Sequence, residues 1–316
     1  MYDQQAPLPS GGSLSDAIEE RADMHCHCLP AIDDGPASVA EAIELCRLLV
    51  ADGITTVVAT PHQLGRYGQA NTCRRILEGI EEFRRHLVAE GIPLQILPGA
   101  EVRIDEKIVQ GVMSGDLLTL ADGKFHVLLE LPKHTFVDPM PLIREFAERH
   151  YRVIIAHPER QQGVMMQPSL AEPWFKSGAI LQVTAGSLLG DFGKNSQRSA
   201  WELIGRGWVQ LIASDAHDAQ RRPPRISPAM DAISALFGER YARQLCVENP
   251  VRIAHGRDLP VPPRAPKPKH RIGNSPAPVS KLSAWAAGVE ELGASSQSGN
   301  LSPIGSIRRW LKEKAS

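Results

Sequence analysis

The chain has no excess of charge of either sign, no long apolar run and no regular cysteine framework, and each absence removes a class of function. Lys and Arg together number 35 against 36 for Asp and Glu, a formal net charge of -1 over 316 residues. There is therefore no global electrostatic reason to expect nucleic-acid binding. No stretch reaches the roughly 18 apolar residues that a membrane span needs. The first twenty residues lack the basic start and apolar stretch of a secretory signal. The five cysteines, Cys26, Cys28, Cys46, Cys73 and Cys246, are odd in number and irregularly spaced. That argues against disulfides and for a reducing, cytoplasmic compartment. The length suits one large domain or two small ones.

What is present is organised in three parts. Residues 1–20, rich in Gln, Pro, Ser and Gly, read as a flexible leader. From about 21 to 258, short apolar runs alternate with amphipathic stretches. The runs are Ala22–His25, Thr55–Ala59, Gln95–Leu97, His126–Leu131, Val153–Ala156, Ile180–Thr184 and Val209–Ala213. Helical spacing marks Ser38–Ala51, which opens on a capping box with Glu41 reaching back to Ser38, and Thr72–Glu90, with Ile76, Ile80, Phe83 and Leu87 on one face. Further helices are expected over Pro139–His150, Leu170–Ser177, Ser196–Arg206 and Pro228–Phe237. Strands alternating with helices imply parallel pairing through right-handed crossovers. Residues with metal-ligand chemistry follow nearly every strand, which suits a ring that brings all strand ends to one mouth. An open sheet would gather them at one switch point. The expected fold is thus α/β, a barrel of about seven strands. Residues 259–316 form a Pro-, Ser- and base-rich tail. Pro260–Pro278 reads as a linker, followed by short amphipathic stretches over Lys281–Leu292 and around Ile304–Leu311, read first as marginal tail helices and, in a sharper reading, as docking elements for a partner or a membrane surface.

The first of those ligand positions is His25-x-His27, preceded by Asp23. Imidazoles two residues apart at a strand end point to one side. One metal can take both, and the acid can orient one of them from behind. Cys26 and Cys28 interleave with the pair, but alternation faces them away, into apolar packing. Later runs end on Thr60-Pro61-His62, Gly99-Ala100-Glu101, Leu129-Glu130, Ala156-His157-Pro158-Glu159-Arg160 and Ser214-Asp215-Ala216-His217. One histidine after a strand means little, and Glu101 or Glu130 alone could be a buried salt-bridge partner. The whole set is a site. Mixed imidazole and carboxylate ligands suit Mn, Fe or Zn. Several carboxylates permit a multinuclear centre, which can acidify a bound water and clamp both oxygens of an in-line displacement. Phosphate also needs cations. Arg160 follows His157, and Arg221, Arg222 and Arg225 flank the stiff Pro223-Pro224 turn; Arg66 is a weaker candidate. Guanidinium matches phosphoryl oxygens bidentately. Cys246-x5-Arg252 has the spacing of a cysteine-phosphatase loop, but it contains no glycine, a proline without an N–H and a repelling Glu248. Helix-end packing explains it better.

Together, Asp23-Met24-His25-x-His27, Asp33-Asp34-Gly35-Pro36, Thr60-Pro61-His62, Gly99-Ala100-Glu101, His157-Pro158-Glu159-Arg160, Ser214-Asp215-Ala216-His217, Arg222-Pro223-Pro224 and Glu248-Asn249-Pro250 resemble the PHP (polymerase and histidinol phosphatase) superfamily. Within it they are similar to the bacterial manganese-dependent tyrosine phosphatases of capsular and exopolysaccharide synthesis. The resemblance covers roughly residues 21–255. It implies a distorted (β/α)7 TIM-like barrel over 21–258 with a three-metal centre, Mn2+ by preference and Fe or Zn as substitutes. One ion would take His25, His27, Glu101 and Asp215. A second would share Glu101 and add Glu130 and His157. A third would take His62, His217 and an acid of the Asp33-Asp34 turn, with Asp34 the better match. Arg160 and Arg222 would hold the phosphate, with Arg66 at the edge. A metal-bridging hydroxide would attack phosphorus and a tyrosine phenolate would leave. With a parent pKa of about 10, the phenolate requires no obligatory general acid. The implied partner is a phosphotyrosine protein, a tyrosine kinase of the polysaccharide machinery, and relatives can form oligomers. The rival readings are another PHP phosphoesterase, acting on histidinol phosphate or nucleotides, and a non-catalytic regulator that binds phosphotyrosine. Three features depart from the pattern. Gln63 stands where many relatives carry a basic residue, cysteines flank His27, and the tail exceeds the usual length.

Overall fold

The computed structural model describes residues 19–68, 70–260 and 266–268. Nine strands run in chain order: β1 (Ala22–Cys26), β2 (Thr56–Ala59), β3 (His62–Gln63), β4 (Gln95–Pro98), β5 (Glu101–Arg103), β6 (His126–Glu130), β7 (Arg152–Ala156), β8 (Ile180–Thr184) and β9 (Val209–Ala213). All their pairings are parallel. They form a three-stranded sheet, β1-β2-β4, and a six-stranded sheet, β3-β5-β6-β7-β8-β9.

The break between the sheets has a local cause. β2 passes into β3 across Thr60-Pro61, and β4 passes into β5 across Gly99-Ala100. Pro61 has no N–H to give a ladder; its carbonyl accepts from the Glu101 amide at 3.2 Å. Gly99 packs so tightly that a Cβ there would lie 2.5 Å from Val58 Cγ1. Each of these two apolar runs thus carries a kink, and the residue past the kink, His62 or Glu101, stands in the second sheet with the two in register. At the far side, the end of β1 meets the loop after β9. The Asp215 amide donates to the His25 carbonyl and the His27 amide to the Ala216 carbonyl, both at 2.8 Å. The ladders therefore draw two joined parallel sheets, where a distorted barrel of about seven strands was expected.

Eleven α-helices lie between the strands or, for the last three, after β9: α1 (Val39–Ala51), α2 (Cys73–Ala89), α3 (Ile108–Ser114), α4 (Met140–Glu148), α5 (Gln162–Met166), α6 (Glu172–Lys176), α7 (Ala185–Leu189), α8 (Lys194–Gly205), α9 (Ile226–Phe237), α10 (Glu239–Arg243) and α11 (Asn249–Ala254), counted among the described residues. Ser38 caps α1 by accepting from the Glu41 amide, but the Glu41 carboxylate takes the Ala37 amide at 2.8 Å, one residue earlier than the reciprocal bond expected. Thr72 caps α2, which buries Ile76, Ile80, Phe83 and Leu87 as the spacing required. The short helices α3, α5, α7, α10 and α11 were not anticipated; runs of five to seven residues carry too few turns for periodicity to show. Cys246 lies buried in a wide helical turn, Gln244–Glu248, that leads into α11, so Cys246–Arg252 is helical and forms no phosphate loop. No helix among the described residues is long and apolar enough to cross a membrane. The expected leader through residue 18 and the tail helices over 281–292 and 304–311 lie outside the described residues.

The core has two parts. A large apolar cluster fills the space between strands and helices. A smaller inner one joins Ala22, Met24, Val58, Leu128, Ile154, Ile180 and Leu211 with Ile253 of α11. Alternation in β1 would place Cys26 with Ala22 and Met24, yet Cys26 packs in the outer cluster. The phase changes where the β1–β2 register is irregular, between Asp23 and Cys26. Such an irregularity re-aims side chains, and here it turns His25 and His27 inward above the inner cluster.

Candidate metal centre

The nine residues His25, His27, Asp34, His62, Glu101, Glu130, His157, Asp215 and His217 come together at the C-terminal ends of the strands. They form four overlapping groups whose ligand atoms lie within 4.8 Å of one another: His27, Asp34, His62 and His217; His25, His27 and Glu101; His25, His157 and Asp215; and His62, Glu101 and Glu130. The grouping differs in part from the expected one. Glu130 neighbours His62, and His157 joins His25 and Asp215 while its Nε2 also reaches Glu101 Oε1 at 2.8 Å. Glu101 is the hub, with Oε2 at 3.5 Å from His25 Nε2, 3.4 Å from His27 Nε2 and 3.1 Å from His62 Nδ1.

Backbone geometry aims several of these groups. His157, directly after β7, and Asp215, two residues past the end of β9, adopt left-handed φ values of 31° and 51°. For residues other than glycine that region costs roughly 1–2 kcal/mol, and such strain gathers at functional sites. Gly35 allows the Asp33-Asp34 turn to lie on β1's extension, since a Cβ there would sit 2.3 Å from the His27 carbonyl oxygen.

The imidazoles are held from behind. His25 Nδ1 meets Gln182 Oε1 at 2.9 Å, His27 Nδ1 meets Asp33 Oδ2 at 2.7 Å, and His217 Nδ1 meets the Asp215 carbonyl at 3.1 Å. These oxygens accept, so each Nδ1 carries the hydrogen and each Nε2 turns its lone pair inward. The acid expected to orient one histidine, Asp23, does something else. Its carboxylate accepts from the amides of His25 and Ser214 and from the Ser214 hydroxyl. Asp23 therefore ties β1 to the end of β9, and burial pushes its carboxyl up to about 6 against those hydrogen bonds. The Asp33-Asp34 pair divides its work: Asp33 is buried behind His27, while Asp34 Oδ1 lies 3.3 Å from His62 Nε2 and 3.5 Å from His217 Nε2.

The donor set fits divalent cations. His25 Nε2 and His27 Nε2 stand 3.3 Å apart with Asp215 Oδ1 at 3.3 Å from the first, and that oxygen is buried without a hydrogen-bond partner. Burial alone would raise the Asp215 carboxyl, but the charges of His25, Arg160 and Arg222 hold it well below the usual carboxylate range. Mixed nitrogen and oxygen donors around an orphaned carboxylate oxygen are a donor set, or cage, that could hold a cation.

Arg160 and Arg222 both reach Asp215 Oδ2, the latter at 2.6 Å, and face the cage. Arg66 is largely exposed, 3.7 Å from Asp34 Oδ2 and stacked on Tyr67, whose ring in turn lies parallel to that of His62. Arg225 pairs with Asp191 and Arg221 with Asp218, so neither points at the cage. Gln63 is buried, bonding the Asn71 carbonyl and the Leu118 amide. Glu130, half-turned to the rim, is bridged to Arg103 at 2.9 Å. Sequence reasoning missed Gln182, Asp33 as an orienting group, and Phe192, which lies under the guanidinium of Arg160. Gln182 left a trace, a lone amide inside the apolar run Ile180–Thr184. Phe192 left none.

Residues 21–255 match the pattern of the capsular polysaccharide synthesis family CpsB/CapC. The tyrosine-protein phosphatase YwqE of Bacillus subtilis is 33% identical over 253 residues, 79% of this chain and 98% of that protein. The tyrosine-protein phosphatase CpsB of Streptococcus pneumoniae is 26% identical, covering 73% and 97%. A crystal structure from work on YwqE and CpsB as metal-dependent tyrosine phosphatases superposes with a TM-score of 0.72 at 32% identity, over 79% of this chain and all of the other.

Proposed function

This chain belongs to the CpsB/CapC family of capsular polysaccharide synthesis, and from that premise we propose that it is a metal-dependent protein-tyrosine phosphatase. The observation that carries the reading is the convergence of nine His, Asp and Glu side chains on one cage with two arginines turned toward it.

His25, His27, Asp34, His62, Glu101, Glu130, His157, Asp215 and His217 would hold up to three ions, Mn2+ by preference with Fe or Zn as substitutes. When bound, the ions supply an acidified water and neutralise phosphoryl charge. The chain's own residues do the rest. Gln182, Asp33 and the Asp215 carbonyl fix the imidazole tautomers. Arg160 and Arg222, gathered by Asp215, present two planar forks to the phosphoryl oxygens, and guanidinium charge grows in value as negative charge spreads in the transition state. Arg66, on an exposed turn near Asp34, meets the substrate at the rim. The leaving group is a phenolate with a parent pKa of about 10, so no side chain has to deliver a proton at the oxygen.

The same reading takes the two sheets as one distorted (β/α)7 barrel over residues 21–258, kinked at Pro61 and Gly99. It is supported by the backbone bonds between the end of β1 and the loop after β9. It places the protein in the cytoplasm, in keeping with five free cysteines. The substrate it names is a phosphotyrosine protein, a tyrosine kinase of polysaccharide synthesis, and it allows an oligomer. Residues 1–20 and 259–316 are taken as appendages, the tail serving a partner or membrane surface.

The test is metal analysis of the purified protein, with hydrolysis of p-nitrophenyl phosphate and a phosphotyrosine peptide before and after chelation and on return of Mn, Fe or Zn. Activity lost on chelation, restored by metal and absent in Asp215→Ala and His217→Ala is expected. Hydrolysis that persists in both variants would sink the ligand assignment. Faster turnover of histidinol phosphate or a nucleotide than of the peptide would move the enzyme to another substrate class. Phosphotyrosine binding without turnover would make it a regulator.

A further inference from the structure

We propose that the cleft beside Phe192 is a subsite for the peptide flanking the scissile phosphotyrosine, and that it selects anionic sequence; this rests on the phosphatase reading above. The cleft, about 610 Å³, is lined in part by Arg160, whose guanidinium also bonds Asp215 of the cage. Pockets of roughly 300–1,000 Å³ hold ligands of several side chains' size.

Its walls are built rather than accidental. Phe192 is half-buried on the loop between α7 and α8, flanked by Gly190 and Gly193 at φ 97° and 86°. The Asp191 amide donates to the Gly186 carbonyl at 3.0 Å, and both Asp191 carboxylate oxygens accept from Arg225 Nη1, at 2.8 and 3.0 Å. Gly186 leaves room for this loop, since a Cβ there would stand 2.8 Å from Asp191 Oδ2 and 3.2 Å from Phe192 Cε2. The Phe192 ring lies 4.2 Å from the Arg160 guanidinium carbon and 5.8 Å from that of Arg222. It therefore forms an apolar wall where an aryl ring would pass into the cage.

The charge around that wall is one-sided. Lys133 and Lys194 are exposed on the cleft, beside Arg160. The acid of the lining, Asp191, is neutralised by Arg225. A cleft lined by one sign of charge favours ligands of the other. Phosphotyrosine peptides with acidic or further phosphorylated flanks have that chemistry.

The experiment compares kcat/KM of the metal-loaded protein on two phosphotyrosine peptides of equal length, one with acidic and one with neutral flanks. It is repeated for Lys133→Glu/Lys194→Glu, for Lys133→Arg/Lys194→Arg, and for the wild type at high salt. The wild type is expected to prefer the acidic peptide by about tenfold, the order reached by two or three exposed charge pairs. Charge reversal should erase the preference, the arginine variant should keep it, and salt should shrink it. Equal kcat/KM for the two wild-type reactions, or a preference that charge reversal leaves in place or high salt leaves undiminished, overturns the subsite and leaves the phosphatase reading standing. Failure of the wild type to hydrolyse either peptide with metal present overturns both.

Discussion

At the scale of single residues, the cage is set by side chains that do not face it. Gln182 Oε1 and Asp33 Oδ2 decide which nitrogen of His25 and His27 is free. Partners of this kind typically carry 10–100-fold in metal affinity. Gln182→Leu is therefore expected to lower metal affinity by about tenfold or more, read as metal per protein after dialysis against a graded chelator. Unchanged retention would show that His25 needs no such support. Gly35 acts through space alone. Gly35→Ala puts a Cβ against the His27 carbonyl oxygen, so the Asp33-Asp34 turn has to move. Overpacking of this kind costs about 1–3 kcal/mol. The variant should melt earlier and bind less metal, whereas Gly91→Ala, with open space around it but also a positive φ, should melt earlier with metal binding intact. Most of the side chains that converge here were legible in the sequence as ligand candidates, because metal chemistry accepts few residue types and they recur after apolar runs. The division of labour between Asp33 and Asp34 rests on a turn whose lie against β1 no local pattern records, and the role imagined for Asp23 went to Gln182, 157 positions from His25.

At the scale of elements, strand ends do the aiming and strand starts carry stability. His126 opens β6 opposite Arg152 of β7 and is buried, with Nε2 lacking a hydrogen-bond partner and Asp258 3.9 Å away. Burial pushes its pKa down to about 4 from an ordinary 6.5, only partly offset by Asp258. The folded state thus binds fewer protons than the unfolded chain between those values. Its contribution is fully present above pH 6.5 and is lost as pH falls toward 4, by an amount on the order of 3 kcal/mol. Denaturant midpoints should fall over that window in the wild type and fall less steeply in His126→Gln. Equal slopes would show that His126 finds a proton-compatible partner. The strands and long helices could be read from periodicity. The kinks at Pro61 and Gly99 could not be placed in a sheet beforehand, because a proline or glycine marks a break without saying what lies beyond it.

At the scale of the whole molecule, the site is also a clamp. Its nine proposed ligands come from segments spread over residues 25–217, linking both sheets and the loops after them. Anything that binds only the folded form stabilises it, by about 2.7 kcal/mol per site at 100 times Kd. In a domain of this size 1 kcal/mol moves Tm by roughly 2–4 °C. Chelation should therefore lower Tm by about 5–10 °C for each ion lost, as seen in calorimetry at fixed pH. A Tm indifferent to chelation would mean that the cage forms without cations and gains nothing from them.

The sequence by itself determined the alternation of strands and helices, the residue types that gather at the strand ends and the exclusion of a cysteine-loop phosphatase. Each of these is written in side-chain type and short-range spacing, which the backbone periods of 2 and 3.6 convert directly into facing. Only the tertiary structure decided which groups neighbour one another in the cage, that the ladders separate into two sheets, and that Phe192 stands beside Arg160. Those outcomes depend on where loops of different length return over the strand ends, and that is fixed by packing among segments far apart in the chain.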